Sequence, residues 1–479
     1  MNELQFEALL PFMVLAAASM AVILLIAFRM SHTVIQIAAF FMACLVILAM
    51  WYVKDTLPQQ VLPLLVVDGF GALFTGMIIF SMMAVGLFSY IYFEEREENP
   101  KEYYILLFLA TLGAAILTIS IHFISFFIGL EILSVSLYAL IAYLRNRNHA
   151  VESGMKYLML AAVSSAFLLF GMALIYMETG SMEFAAIAQS VEKSASSVLC
   201  IMGFRIMLVA IGFTLALVPF HLWAADVYQG APSPVTAFIA TVSKIGVFAV
   251  LLRFAQSVNL QQYPLMMSTF SIIAIASMIV GNLLALRQQN IKRLMGYSSI
   301  AHFGYLLVAF LPGNAAGVEA AAFYLIAYSI TLLAVFGVIS VLSTRMKDAE
   351  NLAMYKGLFY KRPILSAVLI ISFLSLAGIP LTAGFIAKFF VLASGVHQHL
   401  WLPVIVLVIT SVIGLYYYLR VISTLFAATP STGSVPKTLH PFFYITTYIT
   451  LIIMMIVLCW LGIFPDSTVE GIRAFLLIR

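Results

Sequence analysis

Fourteen apolar stretches, each long enough to cross a bilayer, occupy most of this chain. A span needs roughly 20 mostly apolar residues. Runs of that kind lie at 9–28, 33–53, 69–93, 103–120, 122–144, 155–177, 198–220, 231–255, 263–286, 294–312, 318–343, 363–393, 400–426 and 440–463. Only Ser120–His122 separates the fourth from the fifth. Hydrocarbon offers backbone N–H and C=O groups no partners, so such runs are helices. The longest polar connections hold about twenty residues and leave no room for a soluble domain. The expected fold is therefore an all-α polytopic membrane protein. Composition agrees: 9% of residues are charged, against about a quarter in soluble domains.

Several function classes drop out. A net charge of +4, with no basic runs interleaved with aromatics and no glycine-rich phosphate loop, gives no footing for nucleic acid. Cys44, Cys200 and Cys459 stand singly in apolar runs, without the spacing of a zinc or iron–sulfur site. Glu3 and Glu7 precede the first span in place of a basic region, which reads as a retained helix, not a signal peptide.

Lysine and arginine set the orientation. With the N-terminus outside, sixteen basic residues fall in inside loops, among them Arg96, Arg147, Lys292, Arg293, Arg345, Lys347 and Lys437. Five fall outside: Lys54, Lys193, Arg253, Arg473 and Arg479. The bias places both termini on the outer, periplasmic side and requires an even number of spans.

Within the spans, polar residues are conspicuous because they are costly. An ammonium group at mid-membrane costs about 2.5–3.5 kcal/mol even on insertion scales. Glu131 lies midway along the fifth span, with Ser134 and Tyr138 on the same face. Lys244 lies in the eighth with Thr241 one turn before it, His302 in the tenth, and Lys388 in the twelfth. Tyr324, Tyr328 and Thr331 share a face of the eleventh. Together they suggest a proton path through a hydrated bundle interior. Arg205 is close enough to a helix end to snorkel.

Two spans also contain a proline. The seventh holds Pro219, in GFTLALVPFHLW, and the twelfth Pro380, in LSLAGIPLTAGFIAKFF. Proline removes one helical hydrogen bond and frees the carbonyl four residues earlier. Discontinuous helices at matching places in two halves of a chain point to an ion path.

The stretch PFHLWAADVYQGAPSPVTAFIATVSKIG (219–246) resembles the turn after broken helix seven in the antiporter-like membrane subunits of respiratory complex I. GLEILSVSLYAL around Glu131, NIKRLMGYSSIAHFGYLL around His302 and LSLAGIPLTAGFIAKFFVL around Lys388 resemble the same family. The resemblance implies two inverted five-helix repeats, at 103–255 and 263–426, flanked by three helices (1–102) and a last helix with its tail (427–479). It implies that Glu131 is the family's helix-five glutamate, Lys244 its helix-eight lysine and Lys388 its helix-twelve lysine, with His302 between the lysines. Among the larger relatives, subunit L adds a long lateral helix after its last spans; the end of this sequence at Arg479 favours the shorter N-type subunit.

The same resemblance implies a proton-translocating subunit of NADH–quinone oxidoreductase in a bacterial inner membrane. No redox cofactor is expected on this chain, since NADH, FMN, iron–sulfur clusters and quinone belong to partner subunits. The implied partners are the adjacent subunit M and the small membrane subunits. One position departs from the family. A lysine usually precedes the proline of helix seven, and here Thr214 stands in its place. Thr214 is expected to order a water beside the carbonyl freed by Pro219 and so link Glu131 to Lys244. Asp226 is expected to cap or dock the turn.

Overall fold

The computed structural model describes residues 2–94, 96, 100–193, 198–344, 348–428 and 441–477. Arg345, Lys347, Lys437 and Arg479 of the charge count lie outside the described residues. Among those described, twelve helices are long and apolar enough to span a membrane. They are α1 (Leu10–Ala27), α2 (His32–Tyr52), α3 (Gly69–Glu94), α4 (Lys101–Ile119), α5 (Phe123–Ile141), α6 (Asn148–Thr179), α7 (Val198–Leu215), α8 (Ser233–Val258), α9 (Pro264–Leu286), α11 (Ala315–Leu342), α14 (Trp401–Phe426) and α15 (Pro441–Ile463). The tenth expected span is α10 (Ile291–Phe310), whose Lys292, Arg293 and polar face lower its hydropathy. The twelfth is divided into α12 (Pro363–Ala377) and α13 (Ala383–His397), each too short to cross alone.

Local chemistry sets the helix ends. Asn290 Oδ1 accepts from the N–H groups of Lys292 and Arg293 and starts α10, and Asn314 does the same for α11 through Gly317. Pro264 and Pro363 open α9 and α12, where a missing N–H costs nothing. The narrow break between α4 and α5 is real: Ser120 and His122 leave the helix and form extended bridges to Leu65 and Glu183. One departure from an all-α fold appears here. β1 (Gln59–Val61) and β2 (Leu65–Val67) form an antiparallel hairpin over the α4–α5 turn.

Lipid tails are as apolar as leucine, so packing, not hydrophobic burial, must hold these helices together. Glycines bring the backbones close. A Cβ on Gly113 of α4 would sit 2.5 Å from Leu133 N of α5, and one on Gly281 of α9 would sit 2.7 Å from Ala301 N of α10. The pairs α4–α5 and α9–α10 hold corresponding places in the two expected repeats. Protein encloses α8, α10 and α11 almost completely, whereas α1, α2 and α15 turn most of their surface outward. The costly polar residues of α8, α10 and α11 are therefore shielded from lipid.

Candidate functional site: two lysines at two helix breaks

Helix α7 stops at Leu215, and Ala216 takes a left-handed conformation (φ 59°) ahead of Pro219. Helix α12 stops at Ala377, and Gly378 (φ 81°) and Leu381 (φ 71°) flank Pro380. Each break leaves carbonyls without helical donors, and each is met by a buried lysine.

Lys244 Nζ donates to Leu215 O at 3.2 Å and to Ser299 Oγ at 2.6 Å, and lies 4.5 Å from the centre of the Phe303 ring. Lys388 Nζ donates to Leu376 O at 2.9 Å, Ala377 O at 3.0 Å and Ser411 Oγ at 2.7 Å. Leu215 and Leu376 stand four residues before Pro219 and Pro380, the carbonyls that those prolines free. An ammonium group has three donors and no acceptor. Lys388 uses all three, and Lys244 uses two with an aromatic face beside it. The lysines are buried, so neither can snorkel.

Lys244 follows a single π-turn, Ile239–Ser243, inside α8. The extra residue rotates everything after it, and turns of this kind gather at functional sites. No residue type in this stretch marks it.

Between the lysines runs a set of hydroxyl and imidazole groups. Ser299 Oγ, already bonded to Lys244, accepts from the Tyr328 hydroxyl at 2.6 Å and the Tyr228 hydroxyl at 3.3 Å. His302 Nδ1 meets the Tyr324 hydroxyl at 2.7 Å and its Nε2 the Tyr418 hydroxyl at 3.0 Å, while Tyr418 also bonds Ser298. His302, Tyr324, Tyr328, Thr331, Ser375 and Lys388 line a small cavity, with about 10 Å³ free for the centre of a water. That is about the room one water needs, and the lining supplies the two to four polar partners such a water requires. Lys244 and Lys388 thus stand at opposite ends of a polar corridor with one water-sized gap.

Glu131 is not part of this corridor. It faces α6, where the Ser165 hydroxyl bonds its Oε1, and it is half-buried. Among the described residues it makes no ion pair. Thr214 is buried, and its hydroxyl donates to Ala210 O in its own helix at 3.2 Å. The carbonyl freed by Pro219 accepts from Lys244 directly and keeps a second lone pair. Arg205 points outward to Leu265 O at 3.3 Å.

Three charged clusters flank the site. Asp226 docks the turn after α7 through Arg293 (2.6 Å) and Lys156 (3.1 Å). Buried Asp348, in the connection before α12, pairs with Arg96, Arg147 and Lys292, each at 3.0 Å, and accepts from the Tyr92 hydroxyl at 2.7 Å. Burial alone would raise the pKa of Asp348, but Lys292, Arg96 and Arg147 outweigh it and hold the carboxyl well below its ordinary range. Lys292 also donates to Ala231 O at 2.6 Å, which ties the cluster to the turn that opens α8. At the opposite end of the bundle Arg253 grips Asp68 with two bonds, at 2.7 and 2.8 Å.

Comparison with known proteins places this geometry. Residues 120–414 match the family described as NADH:quinone oxidoreductase/Mrp antiporter, TM. A chain of respiratory complex I from Thermus thermophilus is 30% identical and superposes with a TM-score of 0.82 over 96% of this chain and 98% of that one. A chain of the membrane-bound sulfane sulfur reductase, an archaeal respiratory membrane complex, is 25% identical, with a TM-score of 0.87 over 99% and 98%. A chain of the Mrp complex from Dietzia sp. DQ12-45-1b, 19% identical, shares the fold with a TM-score of 0.84 over 98% and 97%.

Proposed function

The chain belongs to the NADH:quinone oxidoreductase/Mrp antiporter transmembrane family, and from that premise we propose that it is a proton-translocating membrane-arm subunit of a respiratory complex I, of the N type. The observation that carries this reading is the pair of buried lysines, each held by the carbonyl that a helix-breaking proline frees and joined by the Ser299–Tyr328–His302 corridor. In this reading the two breaks belong to two inverted five-helix repeats, and both termini are periplasmic.

Redox chemistry on partner subunits would drive the movement. A shift of charge or conformation at the α5 or α8 side lowers the affinity of Lys244 for its proton. Once the two hydroxyls rotate away from the resting Tyr328-to-Ser299 direction, the ammonium group passes that proton to Ser299 as Ser299 gives its own to Tyr328 and Tyr328 gives its own to a water in the cavity. Serine and tyrosine hydroxyls both donate and accept, and rotation lets the chain reset. A water in the cavity then carries the proton to His302 or Lys388. Lys388 releases it on the Ser411 side, beside a largely apolar groove of about 270 Å³. Partners in this reading are the small membrane subunits, the adjacent subunit M and the surrounding lipid. NADH, FMN, iron–sulfur clusters and quinone are held elsewhere.

A second reading has its own support. The sulfane sulfur reductase chain superposes on nearly the whole molecule, so the same corridor would also serve a respiratory complex with a different electron acceptor. Proton uptake by the purified, reconstituted complex on addition of NADH and quinone separates the two. Electron transfer from NADH with coupled proton uptake supports the first reading, and no NADH oxidation by the assembled complex overturns it.

A further inference from the structure

Away from the lysine corridor, α2, α3, α11 and the short helix Asp466–Leu477 enclose an apolar groove of about 730 Å³. We propose that this groove holds one acyl chain of a zwitterionic aminophospholipid, with the lipid headgroup on Lys54 and Asp55.

Its depth fits a single lipid leaflet. The wall contributed by α3 runs from Ala72 to Ser81, nine rises or about 14 Å at 1.5 Å per residue. Half of a hydrocarbon core is about 15 Å. A transmembrane helix of a partner would need a track through the full thickness, and this groove ends midway, near Ser329 of α11.

Charge is confined to its mouth. Lys54 and Asp55 are adjacent on the one-turn helix Val53–Thr56, both are exposed, and neither makes an ion pair among the described residues. Lys54 Nζ rests 4.8 Å from the centre of the Trp51 ring, and Trp51 and Tyr52 are strongly exposed. Exposed Trp and Tyr at a helix end mark headgroup level. One cation beside one carboxylate complements a phosphate beside an ammonium group. An anionic headgroup without an amine would meet Asp55 unfavourably. Phe475 of the C-terminal helix covers the groove from the side.

Gly76 lines the groove, and a Cβ there meets nothing closer than Met50 Cε at 3.8 Å. Gly76→Phe therefore fills the groove without striking backbone. The test uses the assembled complex, stripped of native lipid and offered dioleoyl phosphatidylethanolamine or dioleoyl phosphatidylglycerol, with bound lipids counted by native mass spectrometry. The wild type should retain one more phosphatidylethanolamine per chain than Gly76→Phe, and Asp55→Asn should lose the preference for phosphatidylethanolamine over phosphatidylglycerol. If Gly76→Phe does not assemble, the exposed Lys54→Ser and Asp55→Ser variants carry the test, each expected to lose the preference for phosphatidylethanolamine over phosphatidylglycerol. Equal lipid counts in variant and wild type, or equal retention of the two lipids by the wild type, overturn the proposal. So does cross-linking of a Gly76→Cys variant to a partner subunit in place of lipid.

Discussion

Lys244 donates its ammonium proton to the carbonyl of Leu215, the oxygen that Pro219 deprives of its helical partner. Lys388 stands in the same relation to Leu376 and Pro380. A buried ammonium needs acceptors and a broken helix needs donors, so each defect satisfies the other. The lysine is held without a carboxylate, which leaves it free to lose its proton without stranding a buried anion.

Ser299 joins Lys244 to Tyr328, so its hydroxyl is the most economical point at which to cut the corridor. Ser299→Ala should reduce proton transfer while the complex still assembles, because the loss is one hydrogen-bonding group, about 1–3 kcal/mol for the donors left unpaired. Ser299→Thr should restore most of it. Proton uptake in reconstituted vesicles checks both; full uptake by Ser299→Ala would remove Ser299 from the path.

Gly378→Ala tests the second break. The residue has φ 81°, and an added Cβ would lie 2.9 Å from Lys388 Cδ. Left-handed backbone costs a non-glycine residue about 1–2 kcal/mol, and the lysine must move away from its carbonyls. Slower proton transfer with normal assembly is the expected result, and unchanged transfer would show that the Lys388 acceptors are dispensable.

The two halves were unequally legible in sequence. A lysine inside an apolar run is visible because hydrocarbon excludes charge, so Lys244 and Lys388 stand out, and each proline signals an open carbonyl nearby; that the lysines fill those carbonyls is seen only in the fold. Ser299 does not stand out, because serine is common in membrane helices and only the fold brings it to Lys244. The π-turn before Lys244 has no residue signature. Asp348 is one charge among many in the connections, and its partners lie 56 to 256 positions away. Arg253 counts among the outside charges by sequence position, although it reaches Asp68 across 185 positions and is buried.

Thr214 stands where the family usually has a lysine, and its hydroxyl bonds Ala210 O one turn back in its own helix. A hydroxyl also accepts, and the Leu215 carbonyl keeps a lone pair beside its bond to Lys244, so a water between them fits the chemistry. Thr214→Val should therefore disturb proton transfer. Normal transfer in that variant would remove helix seven from the path.

Glu131 is bonded by Ser165 and has no cation beside it among the described residues. If its charge acts at a distance on Lys244, Glu131→Gln should impair transfer more than Glu131→Asp. Equal activity of the two at neutral pH would assign Glu131 to packing against α6.

Asp348 should matter for stability. Its pKa is depressed, so its contribution is present above the unfolded carboxylate value, near 3.9, and is lost only as pH falls through the lower folded value. Stability should be insensitive to this group from pH 7 to 5. Asp348→Asn leaves buried cations unpaired and should cost about 3–5 kcal/mol, seen as a lower thermal unfolding temperature of the complex. No shift would contradict the cluster's structural role.

The most direct test of the central claim is the number of protons taken up per electron by the intact, reconstituted complex carrying Lys388→Ala. The corridor requires Lys388 as its far terminus, so the ratio should fall below the wild-type value while the complex remains assembled. An unchanged ratio at full electron-transfer rate would mean that no proton passes between Lys244 and Lys388.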